Sequence, residues 1–175
     1  MDIRILTPDD AAEWWRLRQE SLARDPEAFG ASIEDEHTLS VEEVRRRIAA
    51  SRDEFFIVGA FDHGQLAGMA GFYREKSAKG RHKGGVWGVY VTPAHRGQGL
   101  ARKIFEALLA HAAAIPGVEQ ILISVATTQA AAAKLYRSLG FETYGREPRA
   151  LKVGGRYIDE ELMQLRFDRS ASGDS

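Results

Sequence analysis

Cysteine is absent from the 175 residues. That removes a disulfide framework, a thiolate nucleophile and a zinc–thiolate centre, and it fits a cytoplasmic protein. An excess of charge of either sign is also missing, since 24 Lys and Arg stand against 25 Asp and Glu for a net charge of −1. Nucleic-acid binders usually carry a clear basic excess, so no nucleic-acid partner is expected. No segment reaches the roughly 18 uninterrupted apolar residues of a membrane helix. The stretch Met1-Asp2-Ile3-Arg4-Ile5 alternates polar and apolar residues, so neither a signal peptide nor a membrane partner is expected. The histidines (His37, His63, His82, His95, His111) are scattered, with no His-x-His or His-Glu-x-x-His pair. No metal site is expected.

What is present is ordinary globular composition, 44% hydrophobic and 28% charged, in a length that suits one domain. The residues give a short first strand at Ile3 and Ile5. A helix follows from Thr7-Pro8-Asp9-Asp10 to the break at Asp25-Pro26, with Trp14, Trp15, Leu17 and Leu22 on its apolar face. Residues Glu27 to Leu39 show little periodicity. A second helix opens at Ser40, with Glu43 completing a capping box, and runs to Ala50. Phe55–Phe61 and Leu66–Tyr73 form a hairpin about Asp62-His63-Gly64-Gln65. Arg74–Gly85 reads as a basic loop. Val86–Val91 is a strand followed by a helix to Ala114, and Ile121–Val125 is a buried strand. Thr127 or Thr128 caps a helix that ends at Gly140, and Phe141–Val153 and Arg156–Phe167 close the chain as a hairpin. The order β-α-α-β-β-β-α-β-α-β-β implies an α/β fold of α+β character, a mixed sheet with helices on both faces. The tail from Arg169 to Ser175 is expected to be disordered.

One stretch carries chemistry, Val89-Tyr90-Val91-Thr92-Pro93-Ala94-His95-Arg96-Gly97-Gln98-Gly99-Leu100-Ala101. A strand feeds a glycine-rich turn that opens a helix, whose first N–H groups lack intrahelical partners and sit at the positive end of the dipole. Glycines at 97 and 99 keep Cβ atoms away from an anion approaching those groups. Spacing excludes two common phosphate loops. A dinucleotide fingerprint needs a third glycine or alanine where Arg102 stands, and no Gly-Lys-Ser/Thr follows at the distance a Walker loop requires. A shorter loop for one pyrophosphate remains, with Arg96, Arg102 and Lys103 nearby.

Two segments together resemble the Gcn5-related N-acetyltransferases. Val89 to Ala101 looks like that family's acyl-coenzyme-A signature, and Ala131-Ala132-Ala133-Lys134-Leu135-Tyr136-Arg137-Ser138-Leu139-Gly140-Phe141 looks like its late helix–strand motif. The order of elements matches from Ile3 to about Phe167. The resemblance implies an acyl-CoA N-acyltransferase fold with a mostly antiparallel sheet of about seven strands, the domain spanning residues 1–168. It also implies acetyl-CoA as co-substrate. The N–H groups of Arg96, Gly97, Gln98, Gly99, Leu100 and Ala101 would wrap its pyrophosphate, while Val89, Tyr90 and Val91 lend backbone to the pantetheine arm and Gln129 reaches a pantetheine amide. The chain departs from the family pattern at Ala94, where the fuller signature has Gln or Arg. It departs again at Gln129, where many relatives have Asn, and at Ser124, where some carry a glutamate.

Transfer from a thioester to an amine needs a neutral amine, a stabilised oxyanion and a proton for the thiolate. By the same resemblance Tyr136 is the general acid, protonated at neutral pH with an ordinary pKa of about 10. A main-chain N–H of the fourth strand, that of Val91, would polarise the thioester carbonyl. Glu34 is the candidate base or substrate contact, in an irregular segment it shares with Glu36; His82 is a further candidate. Phe29, Tyr73, Trp87 and Tyr157 are candidate acceptor-pocket aromatics. A lysine-like amine is neutral in only about one molecule in 2,500 at pH 7, an α-amine in roughly one in seven. A site without a strong base therefore suits a low-pKa amine. The expectation is direct transfer in a ternary complex to a small-molecule primary amine. A protein N-terminus or lysine as acceptor, and a catalytically silent acyl-CoA sensor, are the open alternatives. A homodimer is an allowed assembly.

Overall fold

A computed structural model describes residues 1–36, 38–50 and 52–168. His37 and the tail from Arg169 to Ser175 lie outside the described residues. The elements are β1 (Asp2–Ile5), α1 (Ala11–Arg24), α2 (Ile33–Glu36), α3 (Val41–Ile48), β2 (Phe55–Asp62), β3 (Gln65–Arg74), β4 (Lys83–Val91), α4 (Leu100–Ala114), β5 (Gln120–Ala126), α5 (Ala130–Ser138), β6 (Glu142–Val153) and β7 (Arg156–Arg166). The strands form one sheet in the order β1-β2-β3-β4-β5-β7-β6. Every neighbouring pair is antiparallel except β4 and β5, which run parallel.

Local chemistry sets most boundaries. The Thr7-Pro8-Asp9-Asp10 start becomes a 3-10 turn over Pro8–Asp10 before α1 begins. Asp10 holds it by accepting from the Thr7 N–H at 2.7 Å and from Arg4 of β1 at 2.7 and 2.8 Å. Ser40 and Glu43 form the expected capping box on α3, with Ser40 N–H to Glu43 at 2.9 Å. Both hairpin turns use left-handed residue pairs, His63 with Gly64 and Gly154 with Gly155, the geometry that matches strand twist.

Three expectations need correction. The segment read as irregular contains the short helix α2, started by Ser32 and Asp35, whose side chains exchange hydrogen bonds with each other's backbone N–H at 2.8 and 3.2 Å. The basic loop ends three residues early, because β4 begins at Lys83. Its glycines are strand residues: a Cβ at Gly84 would stand 2.2 Å from the Phe72 ring, and one at Gly85 would stand 2.4 Å from the Tyr73 ring. Aromatic rings of β3 lie flat across them. Neither Thr127 nor Thr128 caps α5; Gln129 occupies the cap position without a side-chain bond, and the Thr127 N–H instead donates to the Asp159 carbonyl at 2.9 Å.

The sheet is covered on both faces. One core joins α4 and α5 to the sheet through Phe72, Phe105, Leu108, Ile121, Tyr136 and Met163. The other packs α1 and α3 against it through Leu6, Trp14, Leu17, Val44, Ile57 and Met69. β2 and β3 are therefore buried on both faces, which explains their near-continuous apolar sequence. β6 is the exposed edge and carries Glu142, Arg146, Glu147, Arg149 and Lys152, charges that discourage edge pairing.

Hydrogen bonds from Arg4, then from the Thr7 N–H and hydroxyl, hold the Asp10 carboxyl below the usual carboxylate range. A depressed folded-state pKa stabilises above the unfolded value, near pH 4, and the contribution is lost as pH falls through the folded value. Asp10→Asn is therefore expected to cost about 1 kcal/mol at pH 7, the low end because Arg4 is partly open to solvent. Urea unfolding should show this gap closing as pH falls below about 4; a gap independent of pH would remove the ion pair as its cause.

Candidate active site

β4 and β5 pair over only three positions, Lys83↔Gln120, Gly84↔Ile121 and Gly85↔Leu122. Beyond them β4 carries a bulge against β3: Met69 pairs with Tyr90 and Gly71 with Trp87, so two residues, Gly88 and Val89, oppose Ala70 alone. Gly88 has φ +63°, a left-handed conformation that glycine adopts without steric cost. The bulge bends β4 away from its parallel neighbour and opens a cleft of ≈ 850 Å³. Val89, Tyr90 and Val91 form one wall, Ser124, Val125 and Ala126 the other, and Gln129, the cap of α5, and Tyr136 within it close it on one side. Past Gly85 the β4 edge facing β5 has no ladder partner.

At the end of β4 the chain enters a 3-10 turn, Pro93–His95, and then the two-glycine loop. Gly97 and Gly99 have φ +73° and +75°, and a Cβ at either would meet nothing within 4 Å. Backbone conformation, and not crowding by the protein, calls for glycine here; the surface above both is open. Side chains tie the loop down from outside. His95 bridges Thr92 at 2.8 Å and Asp62 at 3.0 Å. Arg96 donates to the Val91 carbonyl at 2.9 Å and to Asp25 at 2.6 Å. The Gln98 amide donates to the Ala94 carbonyl at 3.2 Å. Among the described residues, none of the N–H groups from Gly97 to Arg102 makes a close hydrogen bond to the protein. The Arg96 N–H does, to Pro93 at 3.4 Å. The open run therefore begins one residue later than the signature suggests and reaches Arg102. Six successive donors at the N-terminus of a 15-residue helix form a built anion cradle. Leu100 is buried in the core beneath it, whereas Arg96 and Ala101 face the cleft.

Tyr90 offers the cleft its backbone only. Its ring is buried toward α1 and its hydroxyl donates to Glu20 at 3.0 Å. Burial, then that carboxylate, push its pKa up to about 12. Tyr136 lies on the opposite wall with 4% of its surface exposed, its ring 4.9 Å from Phe105 and 6.0 Å from Phe141. Burial raises its phenol above the ordinary value, so it is protonated at neutral pH.

The opposite end of the cleft is aromatic. Phe29, Tyr73 and Trp87 line it; Tyr157 does not, and lies half exposed beneath Arg149 and Lys152. Arg18 is buried between Phe29 and Trp87, 5.2 and 5.5 Å from their rings, and grips Glu36 at 2.7 Å. Its Nη1 is buried with no partner. A second cavity of ≈ 340 Å³ lies behind Arg18 and Trp87, toward Trp14 and Val44. Glu34 is exposed on α2 and is not on the cleft wall, and His82 is not on it either. The basic loop turns away: Arg74 donates to the Arg81 carbonyl at 2.7 Å, and Arg81 pairs with Glu54. Two charged cleft residues do not stand out from the sequence, Arg18 and Glu160. Strand alternation in Asp159-Glu160-Glu161 separates Glu160 from its neighbours and is the available signal. Among the described residues no group of three or more His, Asp or Glu could hold a metal ion. No helix is long and apolar enough to cross a membrane.

Comparison with known proteins agrees with this geometry. An acetyltransferase (GNAT) domain model matches residues 3–162. The L-methionine sulfoximine/L-methionine sulfone acetyltransferase of Salmonella typhimurium is 32% identical over 65% of this chain and 66% of its own length. The enzyme of that name from Pseudomonas paraeruginosa is 31% identical over 71% of this chain and 72% of its own. The aligned stretch thus spans about two thirds of these curated relatives. A Salmonella typhimurium acetyltransferase solved with its cofactor acetyl-CoA superposes with a TM-score of 0.83 and 26% identity, over 100% of this chain and 98% of that one. The shared sheet, the donor-lined loop and the sequence match lead to one conclusion: this chain belongs to the GNAT family of acetyltransferases.

Proposed function

We propose that the protein is an acetyl-CoA-dependent N-acetyltransferase that transfers acetyl directly to a primary amine of a small molecule. The observation that carries this reading is the continuity of the site. The loop with open N–H groups at residues 97–102 meets the cleft at Arg96 and Ala101, and the unpaired edge of β4 and the Tyr136 side chain line that same cleft. The names of the curated relatives, acetyltransferases for free amino-acid derivatives, support a small acceptor.

The residues present fit acetyl-CoA. The cradle supplies donors for a pyrophosphate, and the β4 edge, including Val89 and Val91, supplies strand-like hydrogen bonds for the pantetheine amides. Gln129, at the mouth of α5, is within the same cleft. When bound, acetyl-CoA supplies an activated acyl carbon and a thiolate leaving group. A main-chain N–H of β4 polarises the carbonyl, and Tyr136 holds the proton for the sulfur. The dry wall around Tyr136 raises the proton affinity of a thiolate formed beside it as well as that of the phenol.

Two substitutions and one assay test the reading. Valine at 99 cannot hold φ +75° without strain, so Gly99→Val is expected to collapse the cradle locally. Calorimetric titration should show acetyl-CoA binding weakened by about 10- to 100-fold, the loss of one or two charge-assisted hydrogen bonds; unchanged affinity would remove the loop from the coenzyme site. Tyr136→Phe keeps the ring packing and should lower kcat by about 100-fold with acetyl-CoA affinity unchanged. An unaltered single-turnover rate would exclude it as the acid. With L-methionine sulfone and a panel of other small amines, thiol release above hydrolysis is expected. Binding of acetyl-CoA without turnover on any amine or peptide would leave only a sensor.

A further inference from the structure

Three acids follow one another on β7, and the structure treats the middle one differently. Asp159 accepts from Arg146 at 2.7 Å and from the Arg149 N–H at 2.9 Å. Glu161 accepts from Arg137 of α5 at 2.5 Å and from Thr143 at 3.0 Å. Glu160 projects to the other face, as strand alternation requires, and there it lines the cleft beside Ser124 and Tyr144. Among the described residues, no cation or hydrogen-bond donor reaches its carboxylate. The other acid on the cleft wall, Asp25, is occupied by Arg96 at 2.6 Å. A half-buried carboxylate without a partner is costly to a fold unless something else uses it.

This inference rests on the N-acetyltransferase reading and names its missing group. We propose that Glu160 receives the proton of the acceptor's ammonium, directly or through one water, so that the site selects a cationic primary amine entering from the β5–β7 side of the cleft. Burial, then the charge of its cross-strand neighbour Glu147, raise the Glu160 carboxyl above the usual carboxylate range, which moves it toward the pH at which a base is effective. The other titratable groups around the cleft are Tyr144 on β6, Tyr136 on α5, Tyr73 on β3, Tyr90 on β4, Arg96 of the two-glycine loop, and Arg18 and Asp25 at the α1 side. Burial raises the phenols of Tyr73, Tyr90 and Tyr136 above the ordinary value, which keeps them uncharged at neutral pH. Arg18 and Asp25 are each paired elsewhere.

The balance is simple. One proton passes from the ammonium to Glu160 and on to solvent. The neutral nitrogen forms a bond to the acyl carbon, and the carbon–sulfur bond breaks. Tyr136 protonates the departing sulfur, and the second proton lost by the nitrogen restores the phenol. The products are the amide and the free thiol.

The pH dependence of kcat/KM for L-methionine sulfone, or for whichever amine of the panel the protein turns over, tests the assignment. In the wild type, kcat/KM should rise through the Glu160 pKa and level off below the pKa of the amine. Glu160→Gln should lower it by about 100-fold at pH 7. Its profile should climb with unit slope as far as the amine's own pKa, closing the gap in alkali, while melting temperature and acetyl-CoA affinity stay as in the wild type. Glu147→Gln, which removes only the like charge on β6, should move the wild-type acid limb to lower pH. A Glu160→Gln profile of wild-type shape, or a loss confined to acetyl-CoA affinity, overturns the assignment while the acetyltransferase reading stands. Absence of wild-type turnover on every amine overturns both.

Discussion

β4 and β5 run side by side in the same direction and hold one another from Lys83↔Gln120 to Gly85↔Leu122; the extra residue at Gly88 then bends β4 out of the ladder. Everything chemical in the molecule depends on that separation. A sheet that closed at this point would satisfy its own backbone and leave no edge for a ligand. Because it does not close, backbone groups of β4 and the β5 surface from Ser124 to Ala126 face a shared space. The N-terminus of α4 stands at its end. Two apolar cores, one on each face, keep the halves of the sheet from collapsing into the gap.

The polar groups around the cleft divide into those that are held and those that are open. Thr92, His95, Arg96 and Gln98 are all spent on fixing the two-glycine loop. Arg96, which looks from the sequence like a ligand for phosphate, works mainly as a strap between β4 and the end of α1 through Val91 and Asp25. Among the described residues, the open groups include main-chain donors, the β4 edge and, of the charged side chains, Glu160 and the Nη1 of Arg18. A loop that presents main-chain donors does not depend on the side chain at position 94, where alanine stands.

Much of this is legible in the order of the residues. The order of elements, the capped start of α3 and the hairpin turns express local rules of periodicity, capping and turn chemistry; Gly97 and Gly99 stand out as a loop, and the structure adds their positive φ. The misread elements have separate causes. Gly84 and Gly85 read as loop because their reason for being glycine, the Phe72 and Tyr73 rings of β3 lying across them, is tertiary. The short helix α2 hides behind a segment without periodicity, although Ser32 and Asp35 mark its start. Glu34 is exposed and off the cleft wall while Glu160 lines it; sequence shows which acids exist and not which face of β7 meets the cleft. The register of β7 against β5, with Glu160 opposite Ala126, decides that, and it is set by pairing between residues far apart in the chain.

Environment gives the two candidate proton-transfer groups opposite advantages. Both are shifted upward by burial, yet the consequences differ because one acts as an acid and the other as a base. For Glu160 an upward shift strengthens the base, and its partial exposure gives the proton a route to solvent. For Tyr136 an upward shift weakens the acid, so its value lies in position and in the dryness it shares with the sulfur. Phe105 and Phe141 beside its ring fix that position. The proposed roles, a wet base on β7 and a dry acid on α5, therefore divide the work along the cleft: protons would leave where water reaches, and the thiolate would be quenched where it does not.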